Sequence, residues 1–215
     1  MNLAIMASGR GSNAAAILDA IARDKLDARA VALITNRKDV GALDVAKAHN
    51  VPGYAVPRHA FPSRTAQQQR MLELLQASGA DFVALAGFDA ILRPFIVAAY
   101  PNRILNIHPS LLPAFAGGMA PVPQTDALRA GVKISGCTVH VVTEELDAGP
   151  IVAQAAVPVL PNDTVDSLAD RILEQEHRLY PLALRWFADG SARVENGHVH
   201  IDSEECQSLW PHPAP

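Results

Sequence analysis

Asn106 and His108 stand two positions apart, where the apolar run 104–107 gives way to a proline-rich segment. Because side chains alternate along a β-strand, a strand here would point both residues to the same face. A neutral amide donor beside a titratable imidazole can stabilise a developing oxyanion and move a proton. The pair is therefore a candidate catalytic site, and a histidine that makes only structural hydrogen bonds is the alternative.

Asp147 lies in a second candidate segment, the acidic turn 143–150 between two apolar runs. A carboxylate next to an imidazole favours the imidazolium form and raises the pKa of a histidine. The alternative is a solvated turn in which Asp147 binds its own backbone. The residues alone leave open which acid of this turn faces inward.

The segment 8–13, Ser-Gly-Arg-Gly-Ser-Asn, follows an apolar run and precedes an alanine-rich one. Glycine lets a backbone approach a ligand closely, and the N-terminus of a helix attracts an anion. This turn predicts a bound phosphate, with a tight turn that binds nothing as the alternative. A dinucleotide site has less support, because Ala14 takes the third glycine position and Asn36 stands where an acidic residue would bind ribose.

The other titratable residues favour structural roles. Residues 174–177, Glu-Gln-Glu-His, lack the second histidine of a zinc motif and predict a solvated helix face. His198 and His200 share one face of a terminal strand with no third metal ligand nearby, so we expect surface residues. Cys137 lies within an apolar strand and is expected in the core.

The elements that must position these groups alternate between apolar runs and helical patterns over the first 110 residues. Such alternation predicts a parallel sheet, and near-continuous apolar strands predict a sheet covered on both faces. The fold class is therefore α/β, a Rossmann-like, mostly parallel sheet with helices on both faces. The predicted strands are residues 3–7, 28–35, 54–56, 81–86 and 104–107, and the predicted helices are 13–23, 41–49, 63–78 and 94–100.

The second half of the chain adds C-terminal antiparallel strands and a long helix. Residues 108–124 are rich in proline and predict a long loop, which in a compact domain is usually functional. We expect residues 1–201 to form a single domain and residues 202–215 a loosely ordered tail. Strands are predicted at 133–143 and 151–159, a helix capped by Asp163 or Thr164 at 164–187, and a hairpin around Asn196-Gly197 at 193–201.

Composition excludes several classes of function. The 215 residues include 18 Lys and Arg against 22 Asp and Glu, a formal net charge of −4. The sequence has no basic block, which would be the electrostatic footprint of a nucleic-acid partner. No apolar run reaches the roughly 18 residues of a membrane span, and two cysteines make no disulfide framework. We expect a cytoplasmic protein with small-molecule partners.

Together, these segments resemble the folate-dependent glycinamide ribonucleotide formyltransferase family over about residues 1–200. The Asn-x-His-Pro-Ser-Leu-Leu-Pro run from Asn106, with Asp147-Ala148-Gly149 downstream, is similar to that of folate formyltransferases as a group. The Gly-x-Gly-Ser-Asn turn points to the ribonucleotide enzymes within that group. Further similar stretches are residues 85–88, 136–140, 145–150 and 175–177.

The resemblance implies a role for each matching position. It makes Asn106, His108 and Asp147 a catalytic trio that moves a formyl group to an amine in purine synthesis, without a metal. The ribonucleotide would be held by Gly11, Ser12 and Asn13 at its phosphate and by Glu176 at its glycinamide amine. The co-substrate, 10-formyltetrahydrofolate, would contact Arg64, Asp89, Ala90, Ile91, Leu92, Asn106, Thr143, Glu144 and Asp147.

Two segments depart from the family's pattern. The loop 114–124 is longer than usual and lacks the family's histidine, and Asp89-Ala90 stands where Met-Arg is common. Three alternatives stay open: a formyltetrahydrofolate hydrolase, a formyltransferase for another amine acceptor, and a non-catalytic dinucleotide- or phosphate-binding module. The sequence also leaves open the choice between monomer and homodimer and the isomer of the Leu112-Pro113 peptide bond.

Overall fold

The computed structural model describes residues 1–202, in which strands and helices alternate through the first 110 residues as predicted. The strands are β1 (Asn2–Ala7), β2 (Arg29–Thr35), β3 (Gly53–Ala55), β4 (Phe82–Leu85), β5 (Ile104–His108), β6 (Ile134–Val141), β7 (Ile151–Pro158), β8 (Ala192–Glu195) and β9 (His198–Ile201). The α-helices are α1 (Ser12–Ala22), α2 (Gly41–Ala48), α3 (Arg64–Ala77), α4 (Pro94–Ala99), α5 (Val122–Ala130) and α6 (Val165–Ala188), and Arg58–Ala60 forms a 3₁₀ turn.

The main sheet has seven strands in the order β3-β2-β1-β4-β5-β6-β7. Strands β1 to β5 are parallel to one another, whereas β6 runs antiparallel to both of its neighbours, β5 and β7. This arrangement confirms the predicted α/β fold class. Strands β8 and β9 form a separate hairpin, in which Asn196 and Gly197 have the positive φ angles that a two-residue turn of this kind requires.

The two faces of the sheet bury two separate apolar clusters. In β1, Leu3 and Ile5 pack with α1, α2 and α6, while Ala4 and Met6 pack on the other face with α3 and α4. This is the alternation expected of a strand that is covered on both sides. The side chains predicted for the inner face of the third helix, Met71, Leu72, Leu74 and Leu75, are all buried there.

Helix α6 is the longest element. It belongs to the apolar cluster that contains Leu3 and Ile5, and it packs against β5, β6 and β7. Thr164 caps it, and a capping box with Ser167 satisfies the backbone N–H groups at its start. In its middle, the Tyr180 hydroxyl lies 2.8 Å from the Leu105 carbonyl oxygen and 3.1 Å from that of Leu85. These contacts fix α6 against the centre of the sheet.

The predicted loop 108–124 is wrong at its end, because residues 122–124 begin helix α5. Pro123 occupies the first turn of this helix, where the backbone N–H has no partner within the helix and proline is tolerated. The prolines in this segment therefore mark the start of a helix as well as a loop. The Leu112-Pro113 peptide bond is cis, and so is Ala120-Pro121.

The remaining predictions concern the extent of the domain, the C-terminal tail, Cys137 and membrane-spanning segments. The single domain over residues 1–201 stays a prediction, and the predicted tail, from residue 203 onward, lies outside the described residues. Cys137 is fully buried in β6, as predicted. Among residues 1–202, no helix combines the length and the apolar character needed to cross a membrane.

Candidate active site

A cavity of about 350 Å³ opens at the edge of the sheet where β4 and β5 end. Ligands of open parallel sheets bind at this carboxyl edge. Asn106 and His108 both line the cavity, and their alternate positions on β5 place them on the same face of the sheet. The other polar side chains used below, Asn13, His140, Asp147 and Glu176, line it as well.

Asp147 reaches this cavity because the turn after β6 folds back over the end of β5. It has a positive φ of 51°, which aspartate tolerates better than most residues, and its side chain is 8% exposed. Gly149 completes the turn, since a Cβ at this position would lie 1.8 Å from the Val141 carbonyl oxygen. Asp147 is therefore the acid of the turn that faces inward, and not a solvated residue.

His108 and Asp147 form the closest acid–imidazole contact of the site. The Nδ1 atom of His108 lies 3.4 Å from Oδ2 of Asp147, and Nε2 lies 3.1 Å from the carbonyl oxygen of Phe115. Each nitrogen of the His108 ring therefore faces an acceptor oxygen. The structure thus brings Asp147 to His108, two members of the trio that the resemblance implied.

The loop after β5 closes one side of the site through its backbone. The Gly117 N–H donates to Oδ2 of Asp147 over 2.8 Å, and the Phe115 carbonyl faces His108. Ser110 supports this loop, because its hydroxyl donates to the Ala114 carbonyl at 2.5 Å. The loop that departs from the family's pattern therefore lies directly against His108 and Asp147.

His140 is a member of the site that the sequence did not identify. It faces Asn106 across the β5–β6 pair, with Nε2 3.1 Å from Nδ2 of Asn106 and 3.6 Å from Oδ1 of Asp147. Burial lowers the pKa of His140, an effect that the Val141 carbonyl and Asp147 oppose. The signal in the sequence was a titratable residue within an apolar strand. Only the register of β6 against β5 shows that His140 meets Asn106.

Glu176 corrects the prediction of a solvated helix face, because it is only 7% exposed. Its Oε2 atom accepts a hydrogen bond of 2.7 Å from Nδ2 of Asn13, and burial raises its pKa although this bond opposes the shift. The Oδ1 atom of Asn13 is buried, and within the described part of the chain it has no hydrogen-bond partner. The packing of α6 against α1, which the local pattern cannot reveal, turns Glu176 inward.

The glycine turn has the predicted form, with a left-handed Gly11 immediately before α1. A Cβ on Gly11 would lie 2.6 Å from Cα of Ala42, so only glycine fits. Asn13 lines the main cavity, whereas Ser12 lines a different cavity between α1, β7 and α6. The structure thus divides the predicted phosphate residues, and a shared ligand would be held through the backbone at the start of α1.

The segment Asp89–Leu92 separates the main cavity from a neighbouring one of about 810 Å³. The Asp89 carboxylate accepts a hydrogen bond from Asn36 and forms an ion pair with Arg37, while its backbone N–H donates to Ser8. Ile91 is 68% exposed.

Arg64, at the start of α3, lines the neighbouring cavity together with Glu144. Thr143 and Glu144 also line the main cavity. The predicted co-substrate residues therefore line two adjacent cavities, which share the segment Asp89–Leu92 and are together called the cleft below; Arg64 lies in the neighbouring cavity. Within residues 1–202, no group of three or more His, Cys, Asp or Glu side chains is placed to hold a metal ion, and His198 and His200 are exposed.

Comparison with known proteins agrees with this geometry. Residues 1–184 match the model of the formyl transferase family. The phosphoribosylglycinamide formyltransferase of Escherichia coli is 38% identical over 204 residues, which cover 95% of each chain. A solved glycinamide ribonucleotide transformylase 1 from Symbiobacterium toebii superposes with a TM-score of 0.91 at 46% identity, over 94% of each chain.

A formyltetrahydrofolate deformylase from Pseudomonas syringae has a similar fold but is more distant. It superposes with a TM-score of 0.87 at 29% identity and covers 94% of this chain, but 66% of its own. The higher identity and the matched lengths both favour the ribonucleotide enzymes over the hydrolase. The chain therefore belongs to the phosphoribosylglycinamide formyltransferase family.

Proposed function

We propose that this chain transfers the formyl group of 10-formyltetrahydrofolate to the amine of phosphoribosylglycinamide in purine biosynthesis. The observation that carries the proposal is the buried contact between His108 and Asp147, next to Asn106, in a cavity that also holds Glu176. An imidazolium and an amide that face one space form a donor pair for a negatively charged oxygen.

The reaction forms a bond between the amine nitrogen and the formyl carbon and breaks the bond from that carbon to N10 of the folate. Negative charge develops on the formyl oxygen, where His108 and Asn106 act as donors. Asp147 keeps the His108 ring oriented and charged, and a proton passes from the attacking amine to the leaving nitrogen. Loss of one such donor typically slows a reaction by about 10²- to 10³-fold.

The ribonucleotide binds at the junction of α1 and α6. Its phosphate lies at the N-terminus of α1, where Gly11, Ser12 and Asn13 offer backbone N–H groups and the positive end of the helix dipole. The buried carboxylate of Glu176 accepts hydrogen bonds from the sugar–glycinamide part, close to the glycinamide amine. The unpartnered Oδ1 atom of Asn13 supplies a further acceptor beside it.

The co-substrate lies along the cleft between the two cavities. The segments Asp89–Leu92 and Thr143–Asp147 enclose the pteridine, much of it through backbone atoms. Arg64, at the far end of the cleft, supplies a positive charge to a carboxylate of the folate.

We also propose that the protein acts in the cytoplasm on small molecules alone, as a monomer or a homodimer. Cys137 is a buried free thiol, and thiols are kept reduced in that compartment. The formal charge of −4 gives no attraction for nucleic acid.

The test is a formyl-transfer assay with purified protein, phosphoribosylglycinamide and 10-formyltetrahydrofolate, in which released tetrahydrofolate is followed by absorbance. We expect turnover that depends on the ribonucleotide. Turnover without it would identify a hydrolase. No turnover, although the folate binds, would indicate that the loop next to His108 has changed the amine acceptor.

A further inference from the structure

His140 has no role in the reaction described so far, although its ring lies next to the Asn106 amide and to Oδ1 of Asp147. The side chain is 2% exposed. Its Nδ1 atom lies 3.1 Å from the Val141 carbonyl oxygen, and its Nε2 atom lies 3.1 Å from Nδ2 of Asn106. Every polar atom of the ring therefore has a specific neighbour.

These neighbours determine where the ring carries its proton. A backbone carbonyl oxygen only accepts hydrogen bonds, so Nδ1 must be protonated. Burial lowers the pKa of His140, and His108 on β5 lowers it further, while the Val141 carbonyl and Asp147 oppose the shift. The ring is therefore neutral at pH 7, and Nε2 carries a lone pair that only a donor can satisfy.

The lone pair on Nε2 selects one of the two orientations of the Asn106 amide. In the opposite orientation, the amide oxygen would face the Nε2 lone pair, and two acceptors would repel each other. In the observed orientation, one N–H of the amide binds His140, and the second N–H of the same group is left for a ligand in the cavity. Asn106 thereby presents an N–H donor, and not its amide oxygen, to the cavity.

We propose that His140 is a positioning residue, which acts as a neutral acceptor to hold the Asn106 amide with its NH₂ group toward the reacting formyl oxygen. This inference rests on the proposed formyl transfer.

A neutral His140 also does not compete with His108 for the Asp147 carboxylate. Because its Nε2 atom carries no proton, His140 offers no hydrogen bond to Oδ1 of Asp147, 3.6 Å away. The carboxylate then binds His108 and the Gly117 N–H through Oδ2.

The kinetic test compares His140→Phe, which removes the acceptor, with His140→Gln, which keeps one at Oε1. We expect His140→Phe to lower kcat by about 10- to 100-fold, less than the typical loss for removal of an oxyanion donor, with KM for the ribonucleotide unchanged. His140→Gln stays closer to the wild type, and the reverse order would overturn the proposal. In an Asn106→Ala background, His140→Phe should cause no further loss, whereas an equal loss in both backgrounds would refute action through Asn106.

A second measurement needs neither turnover nor a stable variant. The ¹⁵N and ¹H NMR signals of the imidazole in the ¹⁵N-labelled wild-type protein report which nitrogen carries the proton at pH 7. We expect a neutral ring protonated at Nδ1. A proton on Nε2 would overturn the positioning role even in an active enzyme, while an inactive enzyme with the expected tautomer would count only against the proposed function.

Discussion

The two walls of the cleft are built in different ways. On the catalytic wall, the side chains of His108, His140 and Asp147 are each at least nine-tenths buried and are held on strands or in a turn that a glycine shapes. On the co-substrate wall, Ile91 and Arg64 are exposed on loops and helix ends. We therefore expect function to depend on the identity of each side chain on the first wall, and mainly on the path of the backbone on the second.

This difference explains how the chain can carry Asp89-Ala90 where the family often has Met-Arg. The backbone N–H of Asp89 donates to Ser8, just after β1, and this contact does not depend on the side chain at position 89. The Asp89 carboxylate adds contacts to Asn36 and Arg37, just after β2. Four substitutions test the contrast, from the largest expected effect to the smallest.

His108→Ala tests the catalytic wall most directly. We expect kcat for formyl transfer to fall by at least about 10²- to 10³-fold, because the imidazolium donor to the formyl oxygen is lost. Binding of the ribonucleotide, measured by calorimetry, should stay within about tenfold, since the phosphate is held at α1. His198→Ala, on the exposed hairpin, is the matched control, and retained turnover in His108→Ala would rule out the catalytic role.

Ser12→Asp tests the phosphate end of the ribonucleotide site. A carboxylate at the first position of α1 is compatible with the helix dipole but repels a bound phosphate. We expect the Kd for the ribonucleotide to rise by about tenfold or more, with little change in the unfolding temperature. Ser12→Asn is the uncharged control of similar size, and equal affinity in both variants would place the phosphate elsewhere.

Glu176→Gln tests the energetic consequence of a buried carboxylate. Burial raises the pKa of Glu176 in the folded protein, so its ionisation disfavours folding, with a cost that is absent at low pH and complete above the raised pKa. The variant should therefore melt at a higher temperature than the wild type at pH 7, by about 2–4 °C for each 1 kcal/mol gained.

At pH 4 the melting temperatures of the two proteins should converge, because Glu176 is then protonated in the folded state. Scanning calorimetry at both pH values gives the comparison. Asn13 can still donate to the side-chain amide oxygen of the variant, so a lower melting temperature at pH 7 would contradict the assigned cost of burial. Ribonucleotide affinity should fall in the same variant.

Asp89→Ala should have the smallest effect, because the ion pair with Arg37 is partly exposed, and such pairs are worth about 0–1 kcal/mol. We expect KM for 10-formyltetrahydrofolate to change by less than about fivefold, the factor that corresponds to 1 kcal/mol. Arg37→Ala, which removes the other partner of the pair, should give a similar value. A much larger rise in KM would mean that this wall, too, depends on a particular side chain.

Local patterns predicted most of the elements but not all contacts of the site. The strands and helices of the first 110 residues, the cap at Thr164 and the hairpin at Asn196-Gly197 follow from apolar periodicity, capping and turn chemistry, which act over a few neighbouring residues. Helix α5 was missed because Pro121 and Pro123 suit a loop as well as the start of a helix.

The sequence by itself determined the α/β class, the glycine turn before α1 and the shared face of Asn106 and His108, because each depends on residues adjacent in the chain. Only the tertiary structure decided which groups meet across large separations. Packing of α6 on α1 brought Glu176 to Asn13, 163 positions apart, and the antiparallel register of β6 set His140 opposite Asn106. Such contacts depend on how whole elements pack, and no local spacing encodes that packing.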